Sequence, residues 1–223
     1  MQLETYPDRE MLMLGLADRI AGQLGEFLRR DGRATFSVPG GTTPGPVFDT
    51  LSGVDLDWAN VAVVLNDERW VPETSERSNT RLVRERLIRG RAAQARLIPL
   101  YAPAATPEAM LPALADGLAP HLPISVLLLG MGADMHTASL FPGADRLDEA
   151  LSPQAPPLMA LRAAAAGEPR VTLTLPVLRG AFHTHVLITG AEKRAALDRA
   201  QRLPAREAPV RAILDLATVH WAE

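Results

Sequence analysis

ISVLLLGMGADMH, Ile124 to His136, is the stretch that decides the fold. Ile124 to Leu129 is apolar almost without alternation, the pattern of a strand covered on both faces in a parallel sheet. It runs straight into a glycine-rich turn, Gly130-Met131-Gly132. The same grammar recurs on either side. Ala34 to Val38 reads as a short strand that enters Pro39-Gly40-Gly41-Thr42-Thr43-Pro44 and then a helical stretch to Leu51. Asn60 to Leu65 reads as a buried strand followed by a polar loop, Asn66-Asp67-Glu68-Arg69. Val171 to Leu175 and His185 to Thr189 supply two further strands, the second meeting Gly190 and a helix. Arg9 to Arg30 places Met11, Leu12, Leu16, Ile20, Leu24, Phe27 and Leu28 at helical spacing, and Asp31-Gly32 stops it. Ser78 caps a helix running to about Arg89, and another helix follows Thr106-Pro107. Strands alternating with helices predict an α/β fold: a doubly wound, mostly parallel sheet flanked by helices, of Rossmann type, with ligands outside the carboxyl ends of the strands.

The 223 residues suit one domain, 1–223. Pro153 to Pro157 and Ala163 to Glu168 read as surface loops rather than a boundary, and there is no internal repeat. Hydrophobic residues at 47% and charged residues at 22% give the balance of a globular protein, and aromatics at 4% leave the core to Leu, Val, Ile and Ala. A net charge of −3 without a basic run gives no attraction to nucleic acid or anionic membranes. The absence of cysteine removes disulfides, thiolate metal ligands and thiol nucleophiles. The start, MQLETYPDRE, has no signal-peptide pattern, and no apolar stretch of about 18 residues is long enough to span a bilayer. A cytoplasmic protein is expected.

Chemistry-bearing residues gather where strands end. The turn at Gly40, Gly41 and Thr42 lies between a strand and a helix, where free N–H groups and the positive helix end suit a phosphate dianion. It matches neither the Walker pattern nor the dinucleotide fingerprint. Asp67 and Arg69 follow a buried strand, and a guanidinium fork suits phosphate or carboxylate; the alternative is a solvated loop whose Asp and Glu cap the next element. Gly132, Asp134 and His136 follow the central strand. Histidine titrates near neutral pH, so His136 can take a proton from water, with Asp134 or Asp67 orienting the imidazole or substrate hydroxyls. The alternative is a turn aspartate and a helix-start histidine. Arg170 and Lys193 are isolated cations at strand ends. His183 and His185 share a strand face, but no carboxylate or cysteine completes a metal set. No Gly-x-Ser-x-Gly elbow is present.

Together the stretches SVPGGTTPGPVFDTL (37–51), NDERWVPETSERSNTRLVRERLI (66–88), LLLGMGADMHTASLFPG (127–143), RVTLTLPVLRGA (170–181), ITGAEKRAAL (188–197), PVRAIL and VHWA resemble the 6-phosphogluconolactonase family, in its order and across essentially the whole chain. The resemblance implies a sheet like that of the amino-sugar-phosphate isomerases. It implies hydrolysis of 6-phosphoglucono-1,5-lactone in the pentose phosphate pathway without cofactor or metal, the partner being a small sugar-phosphate lactone. By matching position, His136 is the expected base, and Arg69, Arg170, Lys193 and the Gly41-Thr42 turn the phosphate ligands. One departure stands out: the family usually has glycine where this chain has Met135, which points to a special backbone angle or close approach there.

A lactone is an activated ester, so positioning water, taking its proton and steadying an oxyanion suffice. The Gly130 to Gly132 amides or a nearby cation are expected to receive that oxyanion. A monomer or weak homo-oligomer fits. Two other readings remain open, an amino-sugar-phosphate deaminase or isomerase and a non-catalytic sugar-phosphate-sensing domain. The run Thr137-Ala138-Ser139-Leu140-Phe141-Pro142-Gly143 favours the lactonase over the first, and the lack of a DNA-binding segment counts against the second.

Overall fold

The structure, a computed structural model, describes residues 1–223. In chain order the elements are β1 (Gln2–Thr5), α1 (Arg9–Asp31), β2 (Ala34–Val38), α2 (Gly45–Leu51), β3 (Val61–Leu65), β4 (Asp67–Arg69), α3 (Asn79–Arg86), β5 (Arg96–Ile98) and α4 (Leu111–Leu118). There follow β6 (Val126–Gly130), α5 (Leu147–Ala150), β7 (Leu158–Leu161), β8 (Arg170–Leu173), α6 (Leu175–Arg179), β9 (His183–Thr189), α7 (Ala191–Ala200), α8 (Arg211–Leu214) and β10 (Ala217–Ala222).

Seven strands form one wholly parallel sheet in the order β1-β10-β9-β6-β2-β3-β5. The central strands are its apolar runs. All five residues of β2 and of β3 are buried, as are the first four of β6, because helices cover both faces. From β2 the chain winds outward through β3 and β5; from β6 it winds the other way through β9 to β10. The reversal falls between β2 and β6, and the crevice beyond the carboxyl ends of strands at such a point is where doubly wound sheets take ligands.

Local signals explain α1. Asp8 is extended at φ −154° and its carboxylate accepts the Met11 N–H at 2.8 Å. Gly32, left-handed at φ 71°, ends the helix by donating its N–H to the Leu28 carbonyl. Between these caps Leu12, Leu16, Ile20 and Leu24 are fully buried, each contributing about 2 kcal/mol of apolar transfer, which holds a helix otherwise rich in charge on the sheet. Ser78 caps α3 as expected, its hydroxyl accepting the Arg81 N–H, but α3 ends at Arg86 instead of near Arg89. After Thr106 a 3-10 turn over Pro107–Ala109 precedes α4. No helix is long and apolar enough to cross a membrane.

Two sequence expectations need correction. Asp67–Arg69, within the stretch read as a polar loop, is β4, and the strand expected over Val171 to Leu175 is β8 at Arg170–Leu173, outside the parallel sheet; the two pair antiparallel in a second sheet of order β4-β8-β7. A three-residue charged strand has no apolar alternation to reveal it. Its order comes from its partner, with Asp67 opposite Thr172 and Arg69 opposite Arg170, and from Leu173 donating its N–H to the Asn66 carbonyl at 2.9 Å.

A chain of polar groups with two buried histidines at its centre joins α1 to the strands. Gln23 Oε1 lies 2.8 Å from His185 Nε2, His185 Nδ1 3.0 Å from His220 Nε2, and His220 Nδ1 2.9 Å from the Tyr6 hydroxyl. Neutral imidazoles have one donor and one acceptor nitrogen, which is what such a chain needs. Burial, then the neighbouring imidazole, lowers His185 from 6.5 to about 3; burial, then Arg19, lowers His220 to about 4. Between these values and 6.5 the unfolded chain binds more protons than the folded one, so stability falls as pH falls through that window. We expect a loss on the order of 2 kcal/mol per histidine by about pH 4.5. Urea unfolding of wild type and His220→Gln checks this: the variant should lose less stability than wild type between pH 6.5 and 4.5, and parallel losses would contradict it.

Candidate active site

The loops after β2, β3 and β6, with β8 and the start of α7, enclose a cleft of about 350 Å³. Its walls include Gly40, Asp67, Arg69, His136, Arg170 and Lys193. Six candidate residues far apart in sequence thus meet in one place, together with Gly41 and Gly132.

The strand ends are locked before any side chain faces the cleft. Asn66, fully buried, accepts the Ser37 hydroxyl at 2.6 Å and donates to the Leu128 carbonyl at 2.7 Å, tying β3 to β2 and β6. Glu68, also fully buried, turns away from the cleft and gathers four donors: the N–H groups of Arg69, Asn79 and Thr80, each at 2.8 Å, and the Ser78 hydroxyl at 3.1 Å. A carboxylate at the start of α3 satisfies amides that a helix leaves free. With Glu68 fixed, its neighbours Asp67 and Arg69 are held facing the cleft. Gly40 is required by close approach, because a Cβ there would collide with the Asn79 amide.

His136 is held on three sides. Its Nδ1 lies 2.5 Å from Asp134 Oδ1, which also accepts the His136 backbone N–H at 3.2 Å. Phe141 stacks on the ring at 4.2 Å between centroids and 28° between planes. Gly132 passes so close that a Cβ would collide with both the imidazole and the Asp134 carboxylate. A carboxylate on Nδ1 makes that nitrogen the donor and leaves Nε2 as the basic atom. The loop reaches this shape through Met135, whose φ of +67° lies in the left-handed region. The glycine expected there on grounds of a special backbone angle is therefore replaced by a residue carrying some strain. Met135 is packed against the core and its carbonyl accepts the Val210 N–H at 3.1 Å.

Arginines also line the cleft. Arg170 has a side chain only 8% exposed; its Nη1 is 3.5 Å from Asp67 Oδ2, its Nη2 donates to the Ala166 carbonyl at 2.9 Å, and its guanidinium carbon lies 5.6 Å from the centroid of the Phe141 ring. Burial pulls its pKa down and Asp67 opposes the shift. Arg69 donates from Nη1 to the Arg77 carbonyl at 2.6 Å. The Nε atoms of Arg69 and Arg170 are buried and have no acceptor. Asp67 itself accepts the Ser139 hydroxyl at 2.5 Å. Such a site offers unused charged donors to an anion beside a general base.

Some expected placements change. Thr42 is not on the cleft wall; it faces a neighbouring groove with Arg9 and Glu10, and Thr43 lines the cleft instead, since the turn's direction is set by Gly41 at φ +84°. The Gly132 N–H donates to the His136 carbonyl at 3.0 Å, so that amide is not free for an oxyanion. Asp134 stands behind His136 rather than on the wall. Asn66, Asn79, Ser139 and Phe141 position the site and no spacing singles them out, whereas Glu68 caps the start of α3, as the loop reading of this segment has it. The signal that sequence reading can use is a polar residue directly after an apolar strand, as at Asn66 and Glu68. His185 faces His220 and Gln23 rather than any carboxylate.

Comparison with known proteins follows the same lines. Residues 7–221 match the family described as glucosamine-6-phosphate isomerases/6-phosphogluconolactonase. The 6-phosphogluconolactonase of Rhizobium meliloti (strain 1021) is 40% identical over 228 residues, covering 99% of this chain and 98% of that protein. That of Pseudomonas aeruginosa PAO1 is 44% identical over 216 residues, covering 93% and 89%. The crystal structure of a 6-phosphogluconolactonase from Shewanella baltica OS155 superposes with a TM-score of 0.97 at 33% identity, covering 100% of this chain and 98% of the other. This chain belongs to the glucosamine-6-phosphate isomerase/6-phosphogluconolactonase family.

Proposed function

We propose that the cleft hydrolyses 6-phospho-D-glucono-1,5-lactone to 6-phospho-D-gluconate, the lactone-opening step of the oxidative pentose phosphate pathway. The observation that carries this reading is a carboxylate-backed imidazole sharing one cleft with two arginines, Arg69 and Arg170, whose Nε atoms are buried and lack acceptors. An anion anchor and a base for water are what a phosphorylated, activated ester needs.

Arg69, Arg170, Lys193 and the turn at Gly40, Gly41 and Thr43 hold the phosphate. The ring then lies with its C1 carbonyl toward His136. Nε2 takes a proton from water as the water oxygen attacks C1, and a cleft cation steadies the oxyanion, since the Gly132 amide is engaged. Collapse breaks the bond between C1 and the ring oxygen, and the imidazolium returns its proton to that oxygen. Asp134 keeps the imidazole oriented, and Asp67 orients substrate hydroxyls. Imidazole activation of water makes no demand on a metal or cofactor. The enzyme in this reading is one unit over 1–223, cytoplasmic, monomeric or weakly self-associating, and without nucleic-acid or membrane partners.

The test is to generate the lactone in situ and follow 6-phosphogluconate through a coupled dehydrogenase, with spontaneous opening subtracted. Acceleration supports the reading. No acceleration, with ammonia released from glucosamine 6-phosphate instead, would replace it with the deaminase reading.

A further inference from the structure

The two cleft arginines whose Nε atoms lack acceptors are each tied to a carbonyl that does not line the cleft. Arg69 donates from Nη1 to the Arg77 carbonyl at 2.6 Å, and Arg170 from Nη2 to the Ala166 carbonyl at 2.9 Å. The segments that carry these carbonyls are joined by an ion pair. Arg77 donates from Nη2 to Glu168 Oε2 at 2.8 Å, and its Nε meets Glu168 Oε1 as the second arm of a fork. With the Arg77 side chain 55% exposed, such a pair adds little to stability.

Its position matters more than its energy. The Glu168 N–H donates to the Ala166 carbonyl at 3.1 Å, so Glu168 and the Arg170 guanidinium share one acceptor. The charges also act on each other. The Arg77 hydrogen bond first, and Arg170 among the lesser causes, lower the Glu168 pKa; burial dominates at Arg170, and Glu168 is among the charges opposing it. A carboxylate set free here would be an internal anion beside guanidinium donors that have no acceptor, and it would compete with phosphate for them. With Glu168 paired, Asp67 is the only acidic side chain on the cleft wall.

We propose that Arg77 is a positioning residue for phosphate binding, whose side chain holds Glu168 away from the Arg69 and Arg170 donors. The proposal rests on the anion anchor of the proposed function and gives Arg77 no contact with substrate. Its consequence is asymmetric. Removing the Arg77 charge frees a carboxylate beside the anchor, whereas removing the Glu168 charge frees none, and both substitutions keep the Arg77 carbonyl that Arg69 uses.

The experiment is calorimetric titration of wild type, Arg77→Gln, Glu168→Gln and the double variant with 6-phosphogluconate and with inorganic phosphate. Arg77→Gln is expected to weaken both ligands about tenfold and Glu168→Gln less than about threefold, while the double variant should match Glu168→Gln, the second substitution rescuing the first. In the coupled lactonase assay, KM for the phosphorylated lactone should rise in Arg77→Gln with kcat unchanged, and kcat/KM for glucono-1,5-lactone should not move. Wild-type affinity in Arg77→Gln, or a double variant as weak as Arg77→Gln, would overturn the proposal. Because calorimetry reads binding alone, the two readings separate. Equal affinities across four chains that open the lactone sink this proposal alone, whereas the expected binding pattern in a chain without lactonase activity sinks only the reaction assigned above.

Discussion

Replacing His136 with Asn is expected to lower kcat for lactone hydrolysis by about 10²–10⁴-fold while KM changes little. The imidazole is the cleft's only basic ring, and its Nδ1 is committed to Asp134, so the substitution removes the one atom placed to take a proton from water. The phosphate ligands lie on other elements, Arg69 on β4, Arg170 on β8 and Lys193 on α7, and none of them bonds to the ring. Binding should therefore survive the loss of the base. Steady-state kinetics after subtraction of spontaneous opening checks this, and a wild-type kcat would remove His136 from the chemistry. An equal rise in KM with kcat unchanged would mean that the ring binds substrate instead.

Glu68→Ala is expected to have the largest effect on stability, about 3 kcal/mol or more. Truncation strands four donors inside the protein: three backbone N–H groups and the Ser78 hydroxyl. It also leaves a cavity at a residue with no solvent exposure. For a chain of this length the melting temperature should drop by roughly 6–12 °C. Thermal or urea unfolding reads the effect, and a melting temperature within about 2 °C of wild type would contradict the network. A functional consequence follows from the backbone. Asp67 and Arg69 flank Glu68 on β4, so KM for a phosphorylated substrate should rise in whatever fraction remains folded.

The sequence carries the main sheet where burial is two-sided and hides it where partners supply the order. The apolar runs of β2, β3 and β6 and the capped stripe of α1 can be read directly, whereas the strand order that puts the switch point between β2 and β6 comes only from the structure. At the sheet's edges β1 has a QLET sequence and β5 only three residues, too short and mixed for periodicity to register. β10 includes His220, a polar residue made apolar in effect by its bonds to His185 and Tyr6, which no pattern along one strand reveals. β4 is a charged triplet that is a strand only because β8 lies beside it.

The site divides in the same way. His136, Asp67, Arg69, Arg170 and Lys193 all adjoin strands, and chemistry at strand ends is legible from residue type and position. The residues that hold them are not. The loop around His136 turns through two non-glycine residues at positive φ, Met135 at +67° before it and Ala138 at +48° between it and Phe141, before Phe141 stacks on its ring. Ser139 reaches Asp67 from 72 residues away. Met135 shows how much a sequence departure conveys. It correctly marks the unusual backbone angle, while the structure adds that the side chain is packed on the core and the carbonyl is bonded to Val210.

The central claim is a cleft that holds a phosphate and opens a lactone at its other end. The most direct measurement is the ratio of kcat/KM for 6-phosphogluconolactone to that for glucono-1,5-lactone without the phosphate, each corrected for spontaneous opening. Charge-assisted bonds from Arg69 and Arg170 contribute about 1.5–3 kcal/mol apiece, which predicts a preference of roughly 10² or more for the phosphorylated lactone. A ratio near one, or no acceleration of either lactone, would contradict it.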